Sequence, residues 1–268
     1  MMRLSEGKDP DMAFQLGCQT ITFGPEQKSH FPEVFEAVAK AGYQGVELGY
    51  KHICEILPAD LKKMLSKHGL ALAGSHGSID LEVPDPKAGG RKLIESVLDY
   101  LNAMGCKILM ASGLHYKDDA QFAKAVDALN RSAAVCKARG VSLCYHNHAW
   151  EFADGEKTMK GLLGRAGADL CFCPDVGWVH KGGKNVIEFL ESVKDRIGYV
   201  HYKDFATAAP EPKDFVELGK GVVPLKNIAR WLQKNTRDLW IVAEQDKSQL
   251  SAAQAVAENG AYLKSLFT

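Results

Sequence analysis

Short apolar runs alternate with amphipathic stretches eight times along this chain of 268 residues. The apolar runs predict strands at 14–23, 45–48, 70–75, 107–111, 141–147, 169–175, 199–203 and 240–244. The amphipathic stretches predict helices at 31–40, 58–67, 89–104, 120–139, 156–163, 185–193, 225–234 and 248–266. Strict alternation of this kind is typical of repeated βα units and a parallel sheet. Eight pairs favour a closed (β/α)8 barrel over an open doubly wound sheet, which periodicity alone leaves open.

The predicted barrel accounts for nearly the whole chain as one domain. Barrels of this type commonly occupy roughly 250 residues, and no low-complexity or Pro/Ser-rich linker divides the sequence. We therefore expect a single α/β barrel over 13–268, preceded by a polar extension over 1–12. The irregular segment 206–223 follows the seventh strand and is expected over the C-terminal mouth of the barrel, as a lid or as a rigid turn.

Charge and cysteine content narrow the function classes. Lys plus Arg equals Asp plus Glu at 33 each, and the calculated pI is about 7.1, so no overall field attracts a nucleic acid. No run approaches the ~20 apolar residues of a membrane span. The seven cysteines are scattered without a C-x-x-C pair, which favours reduced, buried thiols and a cytoplasmic protein.

Four ionisable residues lie at the ends of the last four predicted strands: Glu151, Asp175, His201 and Glu244. Strand ends of a barrel meet at one mouth, so these side chains are expected to converge. Three carboxylates in a low-dielectric cavity need a cation. Oxygen ligands with one imidazole suit a divalent metal, with Mn²⁺ first and Mg²⁺, Co²⁺ or Zn²⁺ as alternatives. Each residue could instead cap a helix or form an ion pair. Either His148 or Glu151 could point into the mouth of the barrel.

Several motifs resemble those of the xylose isomerase-like TIM barrels, a superfamily of sugar isomerases and epimerases, inosose dehydratases and endonuclease IV-type enzymes. The motifs are YHNHAWEF at 145–152, PDVGW at 174–178, VHYKD at 200–204 and VAEQD at 242–246, with LGCQT at 16–20 and GVEL at 45–48. The resemblance implies the same four metal ligands. It also implies that Glu151 and Glu244 exchange a substrate proton.

Further residues near the mouth carry alternatives of their own. Lys203 has two possible catalytic roles, polarising a substrate oxygen or assisting a leaving hydroxyl. Its alternative is an ion pair with a nearby carboxylate. Trp178 stands where many ketose epimerases have histidine, and it either stacks on a sugar or packs. His76 and Glu47 line the pocket with His148, or have core or capping roles.

Our leading prediction is a divalent-metal-dependent isomerase or epimerase of a ketose or related keto sugar, working through a metal-stabilised enediolate. The alternative is a dehydratase acting on a keto-cyclitol such as an inosose, because the Tyr-His-x-His motif at 145–148 is similar to that of inosose dehydratases. A non-catalytic sugar-binding barrel is the third hypothesis. The additional ligands of the endonuclease IV-type three-metal cluster are missing, which argues against DNA repair. The expected partner is a small polyhydroxylated carbonyl compound, and a homo-oligomer stays open.

Overall fold

The computed structural model describes residues 14–85, 87, 89–209 and 211–268. Eight parallel strands form one sheet with the neighbour order β6-β5-β4-β3-β2-β1-β10-β7. They are β1 (Gln15–Gln19), β2 (Gly45–Gly49), β3 (Ala71–His76), β4 (Ile108–Ala111), β5 (Ser142–His146), β6 (Leu170–Cys173), β7 (Val200–Tyr202) and β10 (Trp240–Ala243). The predicted extension 1–12 and the first barrel residue lie outside the described residues.

The sheet closes almost completely into a barrel. A continuous ladder is lacking only between β6 and β7, where single parallel bridges join Phe172 to Ile197 and Asp175 to His201. The backbone N–H of His201 donates to the carbonyl of Pro174 at 3.0 Å. The predicted single-domain (β/α)8 barrel is therefore confirmed, and its weakest junction lies at the predicted site.

Ten helices are present in the described part of the chain. They are α1 (Phe31–Lys40), α2 (Tyr50–Ile53), α3 (Pro58–Ser66), α4 (Leu93–Met104), α5 (Asp119–Ala138), α6 (Ala153–Arg165), α7 (Val176–Lys181), α8 (Val186–Val193), α9 (Leu225–Asn235) and α10 (Ala252–Phe267). None of them combines the length and the apolar character that crossing a membrane requires.

The structure corrects some predicted boundaries. The first strand ends at Gln19, whose side chain accepts the N–H of Ile21 at 2.5 Å and starts a 3-10 turn over Thr20–Phe23. Helix α4 begins four residues later than predicted, because Gly89 and Gly90 have φ of 62° and 95°, in the left-handed region. The short helices α2 and α7, which directly follow β2 and β6, were not predicted.

The interior of the barrel is filled with side chains. A compact central cluster comprises Ala73, Met110, Cys144, Cys173, Tyr199 and Val242, and the larger apolar layer lies between strands and helices. Gly17 is required here, since a Cβ atom at that position would lie 2.8 Å from Cγ2 of Val242. A packed interior of this kind places any ligand site at the mouth.

The irregular segment after β7 contains a small antiparallel hairpin of β8 (Asp204–Phe205) and β9 (Phe215–Val216). The buried carboxylate of Asp204 accepts four backbone N–H groups at 2.9–3.1 Å, from Phe205, Gly219, Gly221 and Val223. Four hydrogen bonds to one buried acceptor join 219–223 to the start of the segment. They favour the rigid turn over the lid for this part of the segment.

Candidate functional site

Four buried side chains converge at the C-terminal ends of neighbouring strands. His146 ends β5, Asp175 follows β6, His201 lies in β7 and Glu244 follows β10. One donor atom from each lies within 4.8 Å of those of the other three. We call these four residues the strand-end cluster. It contains three of the predicted metal ligands and one residue, His146, that was not predicted.

The imidazole of His201 is held between two glutamates. Its Nε2 lies 2.5 Å from Oε2 of Glu47, and its Nδ1 lies 2.6 Å from Oε2 of Glu244. Burial alone would lower the pKa of His201, but the two carboxylates raise it well above its usual value. The contact with Glu244 is an ion pair that lacks hydrogen-bond geometry in spite of the short distance, so neither Nδ1 nor Oε2 has a hydrogen-bond partner.

The donor atoms of the cluster fit a metal ion. Each residue of the cluster has one buried atom without a hydrogen-bond partner in the described part of the chain: His146 Nδ1, Asp175 Oδ2, His201 Nδ1 and Glu244 Oε2. Two of these atoms, His201 Nδ1 and Glu244 Oε2, form an ion pair at 2.6 Å, and Asp175 Oδ2 lies 3.6 Å from Nζ of Lys203. A metal ion among the four atoms would give each of them a direct ligand bond, which none of them has as a hydrogen bond. Two imidazole nitrogens and two carboxylate oxygens suit a divalent transition metal or zinc. Glu47 then occupies the outer position from which a carboxylate orients a ligating histidine.

Lys203 lies behind the cluster, among carboxylates. Its buried ammonium is 2.7 Å from Asp246, 3.3 Å from Glu244 and 3.6 Å from Asp175, measured to carboxylate oxygens. Burial alone would lower the pKa of Lys203, but these three acids raise it well above its usual value. The same nitrogen is 4.9 Å from the ring centre of Trp178. Lys203 is therefore a charged residue that offsets the negative charge of the site.

Glu151 is buried but lies outside the strand-end cluster. The hydroxyl of Tyr145 donates to its Oε1 and the backbone N–H of His148 to its Oε2, both at 2.8 Å. Burial raises the pKa of Glu151 to about 7, and these hydrogen bonds partly oppose the rise. Glu151 thus closes the 3-10 turn Ala149–Phe152. The position in the cluster that the sequence predicts for Glu151 is occupied by His146.

The alternation of side chains along β5 could have identified His146. Cys144 belongs to the central cluster inside the barrel, whereas Tyr145 belongs to the outer apolar layer. Strand side chains alternate between faces, so His146 points the same way as Cys144. The sequence predicts Glu151 instead of His146, because carboxylates are the ligands expected in an oxygen-rich metal site.

A cavity of about 860 Å³ opens over the cluster, and we call it the mouth cavity. His146 and Glu244 reach it from the cluster, and His76, His148 and Asp246 contribute to the same wall. His76 Nε2 is 2.9 Å from the hydroxyl oxygen of Ser112. Burial, followed by the charge of Lys203, lowers the pKa of His148 to about 4. His148 is therefore neutral near pH 7.

The remaining predicted site residues form a layer behind the mouth cavity. Glu47, Glu151, Trp178 and Lys203 are buried and are not among the described residues that line it. The Trp178 ring packs against Phe205, with ring centroids 4.8 Å apart. The structure thus gives Trp178 a packing position and Glu47 a contact with His201.

The sequence resembles two proteins named inosose dehydratase. The protein from Clostridium beijerinckii is 23% identical over 274 residues, which cover 89% of this chain and 90% of that relative. The protein from Geobacillus kaustophilus is 27% identical over 190 residues. This second match covers 64% of this chain and 61% of the relative, less than two thirds of its length.

Two solved structures share the fold. A sugar phosphate isomerase/epimerase from Parabacteroides distasonis has a TM-score of 0.75 and 22% identity, covering 96% of this chain and 98% of that one. The IolI protein with a binding zinc atom has a TM-score of 0.69 and 15% identity, covering 95% and 98%. A family model described as xylose isomerase-like TIM barrel matches residues 35–266. The chain therefore belongs to the xylose isomerase-like TIM barrel family.

Proposed function

We propose that this protein is a divalent-metal-dependent enzyme that removes a proton from the carbon next to a carbonyl group in a polyhydroxylated substrate. The observation that carries the proposal is the set of unpartnered donors in the strand-end cluster, two of whose residues, His146 and Glu244, also line the mouth cavity. A ligand in the cavity would therefore contact the residues that hold the metal.

The proposed ligands are His146, Asp175, His201 and Glu244, in place of the predicted set with Glu151. A second imidazole moves the preference away from Mg²⁺ and towards Mn²⁺, Co²⁺ or Zn²⁺. We keep Mn²⁺ as the first expectation and place Zn²⁺ next, because the IolI neighbour binds zinc. When bound, such an ion supplies a Lewis acid that polarises a substrate carbonyl.

Glu244 is the proposed proton acceptor. It lines the cavity, and although burial alone would raise its pKa, Lys203 and His201 hold that pKa well below the usual range. Glu244 is thus ionised at neutral pH, and its position on the cavity wall, rather than its basicity, supports the role of proton acceptor. His76 and His148 are placed to hydrogen-bond substrate hydroxyls. Lys203 and Glu151 act from behind, by holding Glu244 and the turn after β5.

Elimination of water is the outcome that the site supports best. Glu244 is the one glutamate among the residues described as lining the cavity, whereas an exchange between two glutamates would need Glu151 there as well. In an elimination, Glu244 takes the α-proton and returns it to the departing β-hydroxyl, which leaves as water. The substrate becomes an enone and no further reactant is consumed. The inosose dehydratase relatives support this choice.

Isomerisation or epimerisation is the second candidate. It is favoured by His148, whose Nδ1 has no hydrogen-bond partner among the described residues and which lines the same cavity. A neutral imidazole there can relay a proton to a different position on the substrate. This route would give a product of unchanged mass.

Deuterium exchange distinguishes the two reactions. Protein loaded with Mn²⁺ or Zn²⁺ is incubated with fructose and with an inosose in heavy water, and products are analysed by mass spectrometry. A product that has lost one water and absorbs as an enone indicates elimination. A product that carries deuterium and has lost no water indicates isomerisation. Glu244→Gln should abolish both, whereas Glu188→Gln on the exposed face of α8 is the matched control. No exchange by the metal-loaded protein would contradict the proposal.

We also propose a cytoplasmic location. All seven cysteines are free thiols, and five of them are buried. Free thiols in this number are typical of a reducing compartment. Fractionation of the source cells with an antibody against the protein would test the location.

A further inference from the structure

The mouth cavity is larger than a single sugar ring requires. Pockets of roughly 300–1,000 Å³ enclose drug-sized ligands, and the volume of about 860 Å³ lies near the top of that range. The strand-end cluster reaches only one part of the wall, through His146 and Glu244. A monosaccharide bound there would leave much of the cavity to water.

The unused volume extends in one direction. Apart from residues at the ends of β5 and β10, the lining comes from three neighbouring segments, which we call the first, second and third loop although the second contains α2. They lie within 19–27 at the end of β1, within 49–54 at the end of β2, and at 76–78, 85, 87 and 93 from the end of β3 to the start of α4. We call this part the outer compartment. Its wall includes Ile21, Tyr50, Lys51, His52, Cys54 and Leu93. Strands β10, β1, β2 and β3 are consecutive in the sheet, so the compartment begins beside Glu244 and continues away from it.

Contacts between the three loops hold the outer compartment open. Glu55, after α2, pairs with Lys28 from the first loop and, at 2.7 Å, with Lys87 from the third. The Tyr50 ring packs edge-on against Tyr100 of α4, with centroids 5.9 Å apart. In the first loop, the hydroxyl of Thr22 donates to the carbonyl of Gln245 at 2.7 Å. These contacts join the walls of the compartment to one another and to their neighbours.

The wall of the outer compartment combines apolar faces with hydrogen-bonding groups. Ile21, Tyr50 and Leu93 supply apolar surface, while Lys51 and His52 supply polar nitrogens. A sugar ring has the same two properties, since its C–H face is apolar and its edge carries hydroxyls. A phosphate alone would not use the apolar wall, and a purely aromatic group would not use the polar nitrogens.

We propose that the outer compartment binds a second sugar ring, so that the substrate class is a keto sugar carrying a glycosidic substituent rather than a free monosaccharide. The reacting ring lies at the strand-end cluster and the second ring lies against Tyr50. This inference rests on the proposed function, because it places the reacting carbonyl at the cluster. Tyr50 is a specificity-determining residue under this proposal.

The test compares two ketoses that differ by one ring. Fructose and isomaltulose, which is fructose bearing a glucosyl group, are each incubated with the Mn²⁺-loaded protein in heavy water. We expect kcat/KM for deuterium exchange to be at least about tenfold higher with isomaltulose, the size of effect that burying a well-packed group provides. Tyr50→Ala should remove this preference and leave fructose unchanged. Tyr50→Phe keeps the ring and is the matched control.

A second variant fills the compartment instead of opening it. Cys54 is partly buried and lies on the wall, so Cys54→Trp should reduce exchange with isomaltulose at least tenfold and spare fructose. Retained fructose exchange shows that the variant is folded. Equal kcat/KM for both ketoses, unaffected by Cys54→Trp, would overturn the second-ring site and leave the proposed function standing.

Absence of exchange with both ketoses counts against the proposed function. The second-ring site is then tested by the binding of isomaltulose alone. Isothermal titration of isomaltulose into the metal-loaded protein should show binding that Cys54→Trp weakens at least tenfold. Failure of isomaltulose to bind, or binding that Cys54→Trp does not alter, would overturn the compartment as well.

Discussion

Glu47 Oε2 accepts a hydrogen bond from His201 Nε2 at 2.5 Å, although the two residues lie on β2 and β7, which are not adjacent in the sheet. The bond keeps a proton on Nε2, and Nδ1 faces the strand-end cluster, where it would give up its own proton on binding a metal. A carboxylate in this position orients a metal-bound imidazole and increases its basicity. Glu47 therefore supports the proposed metal site through His201, and it is not among the described residues that line the cavity.

Replacing Glu47 should weaken metal binding while the cluster itself stays intact. We expect Glu47→Gln to lower the affinity for Mn²⁺ or Zn²⁺ roughly 10- to 100-fold, the usual effect of losing such a partner. Competition with a chromogenic chelator measures the change. Glu36→Gln, on the exposed surface of α1, provides the control. Unchanged affinity in the Glu47 variant would restrict Glu47 to a packing role.

His146 and Glu151 should respond differently to substitution. His146→Ala removes a cluster donor and is expected to abolish stoichiometric metal binding, whereas Glu151→Gln should retain about one metal per chain. Metal analysis after dialysis measures both, and the absorption spectrum of the Co²⁺-loaded proteins reports the change in ligands. The opposite pattern would restore Glu151 as the ligand that the sequence predicted.

Glu151 should contribute to stability through the turn after β5. Glu151→Ala leaves the Tyr145 hydroxyl and the His148 N–H without their acceptor. We expect the free energy of unfolding to fall by about 2–4 kcal/mol, from a lost cap and unpaired polar groups. Urea denaturation of the metal-free protein measures it. Tyr145→Phe keeps the His148 hydrogen bond but removes the partner of Glu151 Oε1 and of the Leu114 N–H, and should cost about 1–3 kcal/mol.

Lys203 should matter most when no metal is bound. Lys203→Met leaves Asp175, Glu244 and Asp246 without their shared cation, and breaking a buried charge network typically costs about 3–5 kcal/mol. A divalent ion would compensate two of these carboxylates, Asp175 and Glu244, so adding Mn²⁺ should restore part of the loss. Thermal unfolding with and without Mn²⁺ tests this, beside Lys107→Met on the exposed surface. A loss of equal size in both states would assign Lys203 a role independent of the metal.

Metal removal separates an enzyme from a sugar-binding barrel. Dialysis against a chelator should abolish deuterium exchange, and Mn²⁺ or Zn²⁺ should restore it. Sugar binding that persists in Glu244→Gln, together with no turnover by the intact metal-loaded protein, would instead favour the non-catalytic alternative.

The barrel and three residues of the strand-end cluster could be predicted because strand ends have fixed places in a parallel barrel. Asp175, His201 and Glu244 lie within a strand or directly after one, so counting strands was sufficient to bring them together. Glu151 lies five residues beyond the end of β5, where the chain has already turned. The direction of its side chain therefore no longer follows from the alternation of side chains along the strand. The outer compartment depends on how three irregular loops contact one another, which no local pattern encodes.

The gap between β6 and β7 has a consequence for stability. Asp175 and His201 form one of the bridges across it, and both belong to the strand-end cluster. An ion held by these two residues would cross-link the two edges of an otherwise open sheet. Loss of metal would then loosen the barrel wall at this junction, and backbone amides near 198–205 should exchange faster in the metal-free protein. Closure of the fold and its chemistry would depend on the same side chains.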